Sequence, residues 1–250
     1  MAAFDVPLVI RGRVIEDNWV EFDGRVGTAS FRAPDAHLYV DQLPLGSPMA
    51  MQDLQEVSFE EILDVLHELG QALAFENNPY IQQAYEAGLV AAPYPETMLR
   101  NSYTGLPFVF NRDYVREIAQ QRIGVNYLEG WVPTRLMDGR EVNVRAFGAR
   151  SLHIPAGNGG LVSAITIIRN AITRSDAILK APSNDPLTAV AIARTLADVA
   201  PDHPLTRHLS VAYWKGGDTV LEEKLYRPEH IRSEEHTFEL QSPDHLVCRL

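Results

Sequence analysis

The 250-residue sequence holds a single cysteine, Cys248, which excludes a disulfide framework and makes the cytoplasm the expected compartment. Basic residues are also scarce: 22 Lys and Arg stand against 33 Asp and Glu, a formal charge of −11. That balance argues against nucleic acid or an anionic lipid surface as the main partner. No apolar run approaches the eighteen or more residues of a membrane span. Met1–Pro7, which includes Asp5, is too short and too polar to read as a signal peptide. Several catalytic motifs are missing as well. There is no G-x-x-x-x-G-K-[ST] phosphate loop, no H-E-x-x-H zinc helix and no G-x-S-x-G elbow. His37, His67, His153, His203, His208 and His230 lack ligand spacing, and no nearby cysteine assists them, so no metal is expected.

What is present centres on Ser151–Lys180. Leu152, Ile154 and Ala156 alternate as in a buried strand, and a turn follows through Gly157, Asn158, Gly159 and Gly160. Leu161, Ile165, Ile168 and Ile172 then recur at helical spacing, and Ala177-Ile178-Leu179 runs into Lys180. A strand–helix–strand of this length suits a parallel crossover. The pattern repeats once. Asp185 reads as an N-cap, Pro186 as the first helical residue, and the helix extends to about Ala200. Leu209–Tyr213 reads as a third strand. Ligands of such sheets lie beyond the carboxyl ends of the strands, where Ala156–Gly160 and Lys180–Ser183 fall. An ordinary dinucleotide fingerprint is absent, because the third glycine is missing and Lys180 stands where an acidic ribose ligand would be expected.

Around this unit the chain divides into residues 1–130, a strand-and-helix region, 131–148, a hairpin, and 149–231, the β-α-β-α-β unit. In the first part Val6–Leu45 suggests short antiparallel strands, and Ser58–Glu61 is a capping box ahead of a helix carrying Ile62, Val65, Leu66, Leu69 and Leu73. Further helices are expected at Pro79–Gly88, Pro95–Asn101 and Arg112–Gln121. Asp138-Gly139 between alternating runs marks the hairpin. Residues 232–250 are polar and unpatterned, and Arg232–Ser242 resembles the translated frame of a common sequencing adapter, departing from it at Phe238. The expectation is therefore a native part of about 231 residues that stops within a domain and exposes apolar strand edges.

Three motifs in order, I-P-A-G-N-G-G, I-L-K-A-P-S-N-D-P and H-P-L-T-R-H-L-S-V-A-Y-W-K-G-G-D, resemble the LuxC-like acyl-CoA reductases of the aldehyde dehydrogenase superfamily. The close resemblance covers Ala149–Ile231 and continues more loosely through the first half. It implies an α/β, aldehyde-dehydrogenase-like fold: a partial Rossmann-type parallel sheet with helices on both faces, preceded by an α+β region. It also implies reduction of a long-chain fatty acyl-CoA to an aldehyde with NADPH, through an acyl group held on a cysteine. That cysteine lies beyond the second glycine-rich segment in the family, so the chain as written is expected to be inactive. The resemblance admits a homo-oligomer of the full-length protein.

By position in these motifs, Asn158 matches the asparagine whose side-chain amide helps hold the oxyanion. Without the resemblance, Asn158 reads equally well as a residue tolerated in a left-handed turn. Lys180 matches the lysine that contacts the adenosine ribose. Ser183 falls where many relatives carry a glutamate that chelates the ribose diol, and a neutral residue there leaves room for a 2′-phosphate. Ile154, Pro155 and Gly157 would line the cofactor through their backbone. Two other classes of function remain open on sequence: an acyl-phosphate reductase of the same superfamily, and a non-catalytic α/β interaction module.

Overall fold

The computed structural model describes residues 4–24, 29–92, 94–157 and 160–227, together with the backbone of 232–235. The chain opens on β1 (Phe4–Asp5), then β2 (Leu8–Ile10) and β3 (Arg13–Ile15), a hairpin turned by Arg11 and Gly12 at φ 52° and 82°. Two successive positive φ angles give the tight turn whose twist matches antiparallel strands. β4 (Trp19–Phe22) and β5 (Phe31–Pro34) pair antiparallel, and β1 joins β5 to complete a three-stranded sheet.

A helical stretch follows: α1 (Gln52–Glu56), α2 (Phe59–Ala72), α3 (Pro79–Ala91), α4 (Glu96–Thr104), α5 (Leu106–Val109), α6 (Arg112–Arg122) and α7 (Val125–Glu129). Ser58 caps α2 by accepting from the Glu61 N–H at 3.2 Å, and Asn78 caps α3 by accepting from that of Ile81. β6 (Val132–Arg135) and β7 (Glu141–Val144) form the expected hairpin. Its loop is longer than the Asp138-Gly139 dipeptide alone. The Leu136 N–H bonds to Arg140 O, and Gly139 supplies the left-handed φ of 88°.

The last part runs β8 (Arg150–Ile154), α8 (Gly160–Thr173), β9 (Asp176–Lys180), α9 (Thr188–Val199), α10 (Pro204–Arg207), β10 (Leu209–Ala212), α11 (Thr219–Leu225) and β11 (Arg232–Glu235). β8, β9 and β10 pair parallel, and the whole sheet has the order β11-β8-β9-β10-β2-β3. Neither side of the parallel unit is left bare: β2 lies antiparallel along β10, and β11 lies parallel along β8. The expected open edges are thus occupied, one of them by Arg232–Glu235, the opening of the stretch that reads as adapter.

Alternation along the strands builds two cores. Ala177, Leu179 and Val211 pack with α8, α9 and the helices of the first half. Leu152, Ile178 and Ala212 point the other way, onto Val40, Leu43 and onto Leu221 and Leu225 of α11. The apolar stripe expected on α8 is only half right. Ile168 and Ile172 are buried, but Leu161 and Ile165 are partly exposed, while Ala164, Ile167 and Ala171 face inward. The helix lies between the sheet and the helices of the first half, so small residues are needed on sides that a surface helix would leave polar.

Candidate active site

β8 ends at half-buried Ile154, and buried Pro155 leads into the glycine turn at half-buried Gly157. The Asn184 amide donates to Gly157 O, and a Cβ on Gly157 would collide with that same amide. At the far side of the turn a Cβ on Gly160 would come within 3.0 Å of Thr188 Cγ2. Both flanks of the turn therefore rest on the segment 184–188, and side chains at either glycine would push it away. Asn158, between these two flanks, lies outside the described residues.

Lys180 ends β9 with its side chain largely covered. Its Nζ lies 5.1 Å from the centroid of the Trp214 ring and 3.7 Å from Glu222 Oε1. Trp214 is buried in the second core, and its indole N–H donates to the same Glu222 oxygen at 3.3 Å. Gly216 passes beside the amine: a Cβ there would stand 3.5 Å from Nζ. Trp214 is thus both a core residue and the face on which the lysine lies.

Gly216 also lines a cleft of about 490 Å³ with Ser183, Tyr213, Lys215, Glu21, Phe22, Asp23 and Gly24. Ser183 and Gly216 line this cleft at the carboxyl ends of β9 and β10, and Lys180 Nζ lies on the other side of Gly216's backbone. The opposite wall comes from the first half of the chain. Phe22 and Phe31 pack edge-on to Tyr213, with centroids at 4.9 and 4.7 Å, which seats the three-stranded sheet against the end of β10. The cleft carries charge of both signs, Lys215 on one side and Glu21 and Asp23 on the other. Its Ser183–Lys215–Gly216 side, with a hydroxyl, a cation and open backbone, has donors suited to a ribose and phosphate.

Behind the glycine turn sits a buried polar cluster that no sequence motif marks. The Tyr103 hydroxyl lies 2.8 Å from Thr188 Oγ1 and donates to Ala84 O at 3.1 Å. Asp185 accepts from both the hydroxyl and the backbone N–H of Thr188, while its Oδ2 has no hydrogen-bond partner. Burial pushes this carboxyl up to about 6, against the lowering effect of those hydrogen bonds. Burial also lifts the Tyr103 phenol well above its ordinary range, and the nearby Asp185 adds to the effect. The sequence places Asp185 as the cap of a helix starting at Pro186. The helix instead begins at Thr188 after Leu187, although Asp185 still accepts from the Thr188 N–H three residues on, the bond a capping Asp makes. Asn184 could have been flagged as a polar residue beside Ser183, but nothing local pointed to Tyr103.

Comparison with known proteins gives the family and the fold. Residues 54–230 match the acyl-CoA reductase (LuxC) family. The long-chain acyl-protein thioester reductase of Vibrio harveyi is 29% identical over 231 residues, covering 88% of this chain and 45% of that protein. The protein of the same name from Photorhabdus luminescens is 27% identical over 227 residues, with the same coverage of 88% and 45%. The chain therefore spans about half the length of these curated relatives. Among solved structures, the salicylaldehyde dehydrogenase of Pseudomonas putida G7 aligns with a TM-score of 0.68 at 13% identity, over 92% of this chain and 46% of that one. The NADP-dependent glyceraldehyde-3-phosphate dehydrogenase of Bacillus halodurans C-125, solved with NADP, aligns with a TM-score of 0.66 at 14% identity, over 90% and 47%. The fold is that of the aldehyde dehydrogenases, and the chain belongs to the acyl-CoA reductase (LuxC) family.

Proposed function

We propose that the chain binds a nicotinamide dinucleotide across the carboxyl ends of β8, β9 and β10, as the cofactor side of a reductase that converts a fatty acyl thioester to an aldehyde. The observation that carries this reading is that Ser183 and Gly216, at the carboxyl ends of β9 and β10, line one cleft, with Lys180 Nζ against Gly216. In this proposal Ile154, Pro155 and Gly157 line the cofactor through their backbone, and Lys180 and Ser183 meet the adenosine ribose. When bound, the cofactor supplies the hydride. Asn158 is assigned the role of holding the oxyanion through its side-chain amide, a donor fixed at a strand end and aimed at charge that develops during reaction.

NADPH is proposed over NADH. Ser183 would add no negative charge at the ribose, and Lys215 in the cleft and Lys180 beside Gly216 supply positive charge. Calorimetric titration of the 250-residue chain with both cofactors tests this: NADPH is expected to bind roughly tenfold tighter, and tighter binding of NADH would overturn it. A well-folded sample that binds neither would favour a non-catalytic interaction module.

The relatives are named for acyl-protein thioesters and the family for acyl-CoA, so the shared chemistry, a long-chain acyl thioester, is the proposed substrate class. No cysteine precedes Cys248 in the sequence, so the chain by itself is expected to bind cofactor without reducing a thioester. Turnover of acyl-CoA or acyl-protein by the isolated chain would contradict that assignment. Among the described residues no helix is long and apolar enough to cross a membrane.

A further inference from the structure

Lys180 is already engaged. Its amine lies on the buried Trp214 ring and 3.7 Å from Glu222 Oε1, and the side chains of Lys180 and Glu222 are only 12% and 18% exposed. The Trp214 indole N–H holds the same carboxylate oxygen, so Glu222 is pinned by two donors on one side. Gly216, which lines the Ser183 cleft, passes directly beside Nζ. Asp218, one turn before Glu222 on the same segment, meets His37 Nε2 at 2.7 Å and also feels the Lys180 charge, but without a direct contact to it. Glu222 is therefore an acidic group in direct contact with Lys180, at 3.7 Å. In a partly desolvated site a second anion near the amine must either displace Glu222 or bear its repulsion.

We infer that Glu222 is the residue that sets the site's discrimination between ligands with and without a phosphate at Lys180, by competing for the lysine as an internal anion. This role rests on the proposed binding of a nicotinamide cofactor in the same cleft. Replacing the carboxylate by an amide keeps an acceptor for the Trp214 N–H while removing the charge that opposes an incoming phosphate.

The test is calorimetric titration of the full 250-residue chain and its variants with NADPH, NADH and inorganic pyrophosphate. Glu222→Gln is expected to tighten NADPH binding by roughly tenfold and NADH binding by less than about threefold. Glu223→Gln removes the same charge from an exposed neighbour and is expected to change neither. The gain is expected to vanish when Lys180→Met is combined with Glu222→Gln, because the competition then has no object. Equal affinities in the native chain and Glu222→Gln, or a gain matched by Glu223→Gln, would overturn the inference and leave the cofactor reading standing. If neither nicotinamide binds but Glu222→Gln tightens pyrophosphate, the competition holds for another phosphate ligand and the cofactor reading fails. No binding of any of the three by folded protein overturns both.

Discussion

Asp185 shows how one buried group makes stability depend on pH. Its carboxyl is raised from 3.8 to about 6 because burial penalises the charge more than Thr188 compensates it. Between those two values the folded chain holds a proton that the unfolded chain has released, so stability falls as pH rises through the window and is level above it. A displacement of this size corresponds to ~3 kcal/mol. Asp185→Asn keeps the shape and an acceptor for Thr188 but cannot ionise. Urea denaturation at pH 4 and pH 7.5 is expected to show the native chain losing stability across the interval, with that loss reduced by about 3 kcal/mol in the variant. A variant with the same pH slope as the native chain would mean that Asp185 is solvated in the folded state. Thr188 and Tyr103 stand 85 positions apart in sequence, so no spacing rule could have shown that Asp185 has so little contact with water.

At the level of elements, the β8–α8 turn is governed by space as much as by backbone freedom. Gly157 lies against the Asn184 amide, so Gly157→Ala is expected to cost about 2 kcal/mol by overpacking. Asn184→Ala removes the obstruction. In denaturant titrations the double variant is therefore expected to lose less stability than the sum of the two single changes, and strict additivity would show that the two residues do not meet. The strand–helix–strand units, the Ser58 cap and the 131–148 hairpin were all legible in the sequence, since each depends on residues within a few positions of one another. The inward face of α8 was not, because its partners on α2, α4 and α5 lie far back in the chain. Single-stripe periodicity describes a helix with one buried side, and α8 has more than one.

For the molecule as a whole, the N-terminal hairpin is one of the pieces that tie the first half to the parallel strands. Arg11, in its turn, donates to Asp176 Oδ1 at 2.5 Å, to Leu43 O at 2.8 Å and to Arg207 O at 2.9 Å. Both ring nitrogens of His208 meet carboxylates, Asp176 on one side and Asp53 of α1 on the other, each at 2.9 Å. Arg11→Met would leave the Asp176 carboxylate buried without its arginine, and a loss of roughly 3 kcal/mol is expected in thermal or urea unfolding. A change under about 0.5 kcal/mol would show that the hairpin is held by β2–β10 pairing alone. Local chemistry in the sequence determined most strands, helices and turns, among them the parallel β8–α8–β9–α9–β10 crossover, and which motifs place the chain in its family. Tertiary structure alone decided that β2 and β11 flank that unit, that Asn184 and Thr188 support the glycine turn, and that Glu222 faces Lys180. Periodicity and capping are short-range effects written in neighbouring residues. Sheet order and buried ion pairs join residues tens to more than a hundred positions apart, and only packing brings them together.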